Sequence, residues 1–354
     1  MISVCMIVKD ESQYLNKTLG SIAQYFDDIV VVDTGSTDNT RDIARTFTDK
    51  VYDFAWVSDF SAARNYSLSF ARYEWVLIID ADEEIIFIDK PMLSELIRAN
   101  PDGIGKVEQV NYIDEGDGVG VVKEPISRLF RKDLYHYQGI IHEQVTPLID
   151  PTASTTRFTA PISLGHVGYK NEVLQSKSKI ARNIGLINKA LESTPQEPYL
   201  HYQLGRSHFL EKDYRQAAEC FHNALLFQTN FSYSYNDILI ESYGYSLINL
   251  GEYQQALTVL EYEKYCYSTD FVFLKALILM NNGALQQAVD TFLLCTKMKP
   301  GRGEGVNSYK ANYNIGVILE CSKMYQKASE LYRQCGDYKP ALDGLSRIRD
   351  KCIA

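Results

Sequence analysis

The chain has 354 residues, 45% of them hydrophobic and 23% charged, a globular composition that excludes the disordered, collagen-like and disulfide-miniprotein classes. Thirty-six Lys and Arg against 45 Asp and Glu leave a net charge of −9, which argues against nucleic acid as a partner and leaves room only for a local basic pocket. The seven cysteines form no CxxC pair, so free thiols in a reducing compartment are expected rather than a disulfide or zinc framework.

The opening MISVCMIVKDE has no basic leader, and its apolar run stops at Lys9-Asp10-Glu11. No later stretch approaches ~18 uninterrupted apolar residues, so a cytoplasmic protein without a membrane span is expected. Short Val/Ile runs at 2–8, 28–33, 50–54 and 75–80 read as buried strands, and amphipathic stretches at 12–25, 40–46 and 60–72 read as the helices between them. That alternation predicts an α/β sheet. Ligands bind beyond the carboxyl ends of such strands, which directs attention to Lys9-Asp10-Glu11, Asp33-Thr34-Gly35-Ser36 and Asp80-Ala81-Asp82. From about residue 103 to 165 the pattern is less regular, with strand-like pieces at 107–113, 126–130 and 161–164 and a Gly- and Asp-rich turn at 114–120.

Beyond Gly168 the chain reads as helical and repeats. Leu204-Gly205, Ala217, Phe221 and Ala224 recur as Gly244, Ala256 and Leu260, then as Ala276, Ala288 and Phe292, then as Ile315-Gly316, Ala328 and Tyr332. The second-helix alanines are spaced by 39, 32 and 40 residues, near the ~34-residue tetratricopeptide period with loop insertions. Small residues where two antiparallel helices touch, and large ones in the groove between them, predict four helical hairpins. Three segments are expected: a catalytic domain over 1–168, a linker helix over 169–194 and a repeat domain over 195–354.

Two acids at a strand end, Asp80 and Asp82, place carboxylates on one side of the chain, where a hard divalent cation can bridge them to a diphosphate. Alone, such a tripeptide is more often a solvated strand end. Its company changes the reading: MIVKDES, VVVDTGSTDNT, DFSAARN and WVLIIDADEE, in that order, resemble a family 2 glycosyltransferase of the nucleotide-diphospho-sugar (GT-A) fold over roughly the first 170 residues. Adding Arg128-Leu129-Phe130-Arg131, Gly139-Ile140-Ile141-His142-Glu143, His166-Val167-Gly168-Tyr169, KSKIARN at 177–183 and the trailing repeats, the layout is similar to the sublancin-type peptide S-glycosyltransferases.

The resemblance implies a UDP-sugar donor and Mg²⁺ or Mn²⁺. Asp33 would accept from the uracil N–H, with Thr34 beside it where the family often carries a second acid, and with Val8, Lys9 and Glu11 walling the nucleotide. Asp33 could instead cap the following helix, although Ser36 or Asp38 fills that role more simply. Arg64, Asp80, Ala81 and Lys177 would complete the donor site, the alternative for Arg64 being an exposed helix arginine paired with Asp59. Asp82 is expected as the principal metal ligand, with Asp80 nearer the ribose or acting through water. His166 is the third ligand implied by the resemblance; a lone His after a strand is otherwise usually a satisfied polar group. The remaining histidines, His136, His201, His208 and His222, fit packing or solvation.

An inverting transfer needs a base near the acceptor. Glu143 is assigned that role, with His142 orienting it or touching the acceptor; Glu143 could instead pair with Arg128 or Arg131 and hold the fold. Lys177, Lys179 and Arg182 recur at helical spacing, and either neutralise the leaving diphosphate or form a solvated face. The functional reading is a metal-dependent inverting glycosyltransferase moving a hexose, with glucose favoured, to a peptide or protein side chain held by the repeats, as in the maturation of glycosylated bacteriocins. The alternatives are a cell-envelope polysaccharide or lipid-linked acceptor, a nucleotidyltransferase, which would need a Gly-rich loop where Val8-Lys9-Asp10-Glu11 stands, and a non-catalytic repeat scaffold. Tyrosine is over-represented, with 25 against 15 Phe and 2 Trp; the run of tyrosines from Tyr233 to Tyr245 is a candidate acceptor-binding or homodimer surface.

Overall fold

The computed structural model describes the chain except residues 115–118, 152, 167–171, 234, 350 and 352–354; the side chains of 111–114, 119–122, 166 and 172–178 are likewise outside the description. The chain divides into two compact units, Met1–Ala190 and Leu191–Ala354.

The first unit opens with β1 (Ile2–Val8), α1 (Ser12–Ala23), β2 (Ile29–Asp33), α2 (Thr40–Arg45), β3 (Val51–Asp53), α3 (Phe60–Ser69) and β4 (Trp75–Ile78). β1 pairs in parallel with β2 and β4, and β2 with β3. The elements predicted for this half are all present, shorter by a residue or more at several ends. Alternation along the strands serves both faces: Val4, Met6 and Val8 pack with Leu15, Leu19 and Ile22 of α1, whereas Cys5, Val30, Val32, Val76 and Ile78 pack with Leu68 of α3. Burial on both sides is why these strands read as unbroken apolar runs.

The irregular region builds the other half of the sheet. β5 (Glu83–Ile88) and α4 (Lys90–Ala99) precede β6 (Ile104–Asp114) and β7 (Val119–Arg131), β8 (Tyr135–Gln138) and β9 (Gln144–Pro147) form a small ribbon, β10 (Arg157–His166) returns to the sheet, and α5 (Glu172–Ser193) follows. The eight-stranded order is β3-β2-β1-β4-β7-β6-β10-β5, with β7 antiparallel to β4 and β6, and β10 parallel to β6 and antiparallel to β5. β5 was not foreseen, since no element was expected at 83–88. Instead the chain turns at Asp80–Asp82, Glu83 N donating to the Asp80 carbonyl at 3.1 Å, and Glu83 enters a strand fully buried.

The second unit contains α6 (Pro198–Leu210) and α7 (Tyr214–Phe227), α8 (Asn236–Leu250) followed by the short α9 (Tyr253–Ala256) and a 3-10 segment (Leu257–Lys264), α10 (Thr269–Asn281) and α11 (Leu285–Cys295), α12 (Tyr309–Cys321) and α13 (Tyr325–Arg333), and α14 (Lys339–Ile348). These are four hairpins and a last helix, with Ala217, Ala256, Ala288 and Ala328 all fully buried. A Cβ on Gly205 would lie 2.6 Å from the Phe221 ring, and one on Gly316 2.6 Å from Tyr332. The repeated glycine is therefore the place where an aromatic ring of the second helix rests on the backbone of the first. In the second hairpin the equivalent Gly244 faces Leu274 of the next repeat, and the helix that should cover it tightens to 3-10. Gly316→Val is expected to destabilise this unit by about 1–3 kcal/mol through overpacking, read as a lower urea midpoint with an unchanged slope.

The tyrosine run divides between core and surface: Tyr243 is buried, Tyr235 and Tyr245 are half-buried against the core, with Tyr235 stacked on the buried Tyr202 at 5.0 Å, and Tyr233 is exposed, as are Tyr253, Tyr265 and Tyr267 among the described residues. No helix among the described residues is long and apolar enough to cross a membrane.

Candidate active site

β2, β1 and β4 end side by side, as the α/β reading expects, and the loops after β1 and β2 are laced together by side chains of residues 36–40. Asp10 N donates to Ser36 Oγ at 2.9 Å, Glu11 N to Thr40 Oγ1 at 2.8 Å and Ser12 N to Asp38 Oδ2 at 3.1 Å. Asp10 adopts a left-handed backbone, φ 54°, and its carboxylate accepts from Thr37 N at 2.7 Å. The polar run DTGSTDNT is thus spent on shaping the β1 loop. Thr34 donates both N–H and hydroxyl to the Val8 carbonyl, at 2.9 and 3.0 Å, fixing β1 to β2 at the point where the nucleotide wall was predicted, and Lys9 is exposed there.

Asp33 is fully buried. Its Oδ1 accepts from Gly35 N, Ser36 N and Arg41 Nε, each at 2.9 Å, whereas its Oδ2 is buried with no hydrogen-bond partner among the described residues. Burial would push this carboxyl up, but the donors from Ser36, Gly35 and Arg41 outweigh it and hold it below the ordinary carboxylate range. It does not cap α2, whose N-cap is Asn39. Arg41 is a site residue that sequence reasoning missed, although it directly follows the motif that holds Asp33.

Beneath the strand ends lies a buried ion network. Asp59 caps α3 by accepting from Ala62 N at 3.0 Å, which starts the helix so that Arg64 points inward. Arg64 is 7% exposed, not the surface arginine of the alternative reading. Its Nη2 donates to Asp80 Oδ1 at 2.8 Å and its Nε to Glu143 Oε1 at 2.5 Å, and the guanidinium lies 5.4 Å from the centre of the Tyr137 ring. Asn65 anchors β8 beside it by exchanging two 2.8 Å hydrogen bonds with Tyr137. Arg128 of β7 takes the other oxygen of Asp80, Nη2 to Oδ2 at 2.5 Å, and lies 3.7 Å from Glu83. Asp80 is held well below the carboxylate range despite burial, because Arg128 and Arg64 flank it; Glu83 is pushed up by burial, opposed mainly by Arg128. Glu83 also accepts from Asp80 N and Gln109 Nε2. Glu143 pairs with Arg64 instead of Arg128 or Arg131; Arg131 turns to Asp133, Glu74 and Asp102. Arg128, Glu83 and Gln109 are further site residues, the first expected only as a possible partner of Glu143 and the last two on strands whose pairing the sequence did not reveal.

Above this network the charge is negative. Burial pushes the Glu11 carboxyl up to about 7, and Asp82, then Asp38 and Asp80, add to that, while Lys179 of α5 opposes it. Asp82 is half-buried, and the Ala81 carbonyl between the two acids accepts from Thr18 Oγ1 at 2.8 Å. The β5–β10 register sets the backbone of His166 opposite Glu83, one residue from Asp82; its side chain, like that of Lys177, lies outside the described residues. Among the described residues no three or more His, Cys, Asp or Glu side chains are grouped to hold a metal ion. The loop carrying His142 and Glu143 is fixed by Phe60 N donating to the Ile140 carbonyl at 2.8 Å, with positive φ at Gly139 and at His142, 105° and 53°. Arg182 sits over the Phe60 ring at 5.3 Å, which brings the KSKIARN segment to the same end of the sheet.

Residues 3–155 match the model of glycosyl transferase family 2. A TPR repeat-containing protein of Synechococcus elongatus is 32% identical over 223 residues, covering 61% of this chain and 54% of that protein. The SPbeta prophage-derived glycosyltransferase SunS of Bacillus subtilis is 31% identical over 216 residues, covering 60% of this chain and 50% of SunS. The chain thus spans about half the length of the curated relatives it matches. Among solved structures, YrrB, described as a TPR protein with an unusual peptide-binding site, is 24% identical with a TM-score of 0.41, over 49% of this chain and 87% of that one.

Proposed function

We infer that this chain, a family 2 glycosyltransferase domain joined to tetratricopeptide-type hairpins, moves a hexose from a UDP-sugar to a peptide or protein side chain with the help of a divalent cation. The observation that carries the donor assignment is Asp33: a fully buried carboxylate with one oxygen accepting from three donors and the other from none among the described residues. A buried acceptor with no donor is costly unless a ligand supplies one, and the N–H of a uracil ring does so. Val8, Lys9, Glu11 and Thr34 would wall the nucleotide.

The residues also fit a cation. Mg²⁺ is commonly held by one or two carboxylates together with substrate phosphates rather than by a protein cage, so a grouping of three protein ligands is not required. Asp82 would hold it, with His166 as a further ligand from β10. Bound there, the cation would neutralise the diphosphate as it leaves. Asp80, with an arginine on each oxygen, is better suited to fixing the Asp80–Asp82 turn than to direct ligation. Arg64 holds Asp80 and Glu143 in register, and its Nη1, buried with no hydrogen-bond partner among the described residues, can donate to a donor oxygen. Glu143 would take the acceptor proton, with His142 setting its loop, and Lys177 would add positive charge beside the diphosphate.

Titration calorimetry tests the donor assignment. The wild type should bind UDP in preference to GDP, and Asp33→Asn should weaken UDP by about 10–100-fold, the ~1–3 kcal/mol of a buried acceptor replaced by a donor. Equal affinity of wild type and variant would rule the assignment out. A thiol acceptor, with a pKa of about 8.5, needs less help in losing its proton than a hydroxyl. Glu143→Gln should therefore slow transfer to a serine peptide more than to the matching cysteine peptide.

A further inference from the structure

The repeat unit carries a groove of its own. It is a shallow, open depression of about 660 Å³ between the loop entering α10 and the loop leaving α11. On one side stands Tyr267, 63% exposed; on the other are Lys297, Met298, Lys299, Pro300 and Arg302. The acids present are already engaged. Asp270, buried, accepts from Arg302 N at 2.8 Å and Gly303 N at 2.7 Å, and Glu241 takes the Arg302 side chain at 2.5 Å and the Ser268 hydroxyl at 3.0 Å. These bonds fix the loop, and a Cβ on Gly301 would collide with Asp270 at 2.4 Å. Lys297 and Lys299 are exposed and have no ion-pair partner among the described residues. A rigid groove in a chain of net charge −9 thus presents two uncompensated cations beside a tyrosine face, a methionine and a proline.

We propose that this groove binds an acidic, partly apolar peptide segment, the lysines meeting carboxylates and Tyr267 with Met298 and Pro300 taking the neighbouring apolar side chain. This deepens the peptide-acceptor reading and rests on it for its biological sense. It also places the recognition surface at Tyr267 and the 297–302 loop rather than on the tyrosines at 233–245, of which Tyr233 alone is exposed.

Fluorescence anisotropy of the full chain with a short fluorescein-labelled peptide of Asp-Leu-Gly repeats, against its Lys-Leu-Gly counterpart, provides the test. The wild type should prefer the acidic probe, more so at low salt. The double variant Lys297→Glu, Lys299→Glu should lose about tenfold or more in affinity for it and turn toward the basic probe, and Tyr267→Ala should weaken both. All substitutions are on exposed side chains, and an unchanged melting temperature verifies the fold. No binding by the wild type, equal binding of the two probes, binding unaltered by charge reversal, or a reversal that changes only the oligomeric state would overturn the proposal. UDP release from UDP-glucose without acceptor, measured on the same samples, should not differ between wild type and double variant; its absence from both would count against the transferase reading while leaving the groove result intact.

Discussion

Arg64→Leu is expected to lower the stability of the first unit by about 3–5 kcal/mol, the usual effect of deleting one partner from a buried ion pair, and to abolish transfer with it. The substitution leaves Asp80 with only Arg128 and strips Glu143 of its observed guanidinium. It also removes the cation facing Tyr137 and leaves two acids in a region where Glu83 is already pushed up by burial. For a unit of this size the melting temperature should fall by roughly 10 °C. Arg64→Lys should recover part of the stability and little of the activity, because one ammonium cannot reproduce two directed bonds from a planar fork. A melting temperature unchanged in Arg64→Leu would mean that the network does not hold the strand-end turn in place.

Asp82→Asn is expected to reduce transfer by roughly 10²–10³-fold, the scale of losing one preorganised electrostatic contact to charge that develops in the transition state. Its effect on stability should be small beside that of Arg64→Leu. Burial, and then the charge of Asp82, push Glu11 up, so neutralising Asp82 relieves repulsion among Glu11, Asp38, Asp80 and Asp82. The variant should therefore melt at the same temperature as the wild type or slightly above it. Mn²⁺ should raise the melting temperature of the wild type, since a ligand bound only to the folded state stabilises it, and should do so far less in Asp82→Asn.

Much of this site could be read from the sequence because its polar residues sit where buried strands end. Val/Ile runs locate β1, β2 and β4, and Asp33 and Asp80–Asp82 follow at once. The hairpins were readable for a similar reason: Gly205 and Gly316 sit under aromatic rings that no larger residue would admit. What stayed hidden depends on long-range pairing. Glu83 and Gln109 meet only because β5 joins the far edge of the sheet beside β10. The choice of Arg64 over Arg128 as the partner of Glu143 follows from how the 139–143 loop docks on the start of α3. The tyrosines could not be sorted because one residue type serves both purposes, a ring for the core and a hydroxyl for the surface; composition cannot separate Tyr243 from Tyr267.

The most direct measurement is nucleotide release from UDP-glucose and GDP-glucose, each with Mn²⁺ or with EDTA, by the wild type and Asp82→Asn, together with the mass of a candidate acceptor peptide. The account predicts UDP release and a one-hexose mass increase only for the wild type with UDP-glucose and Mn²⁺. Release that is undiminished by EDTA, or undiminished in Asp82→Asn, would contradict it.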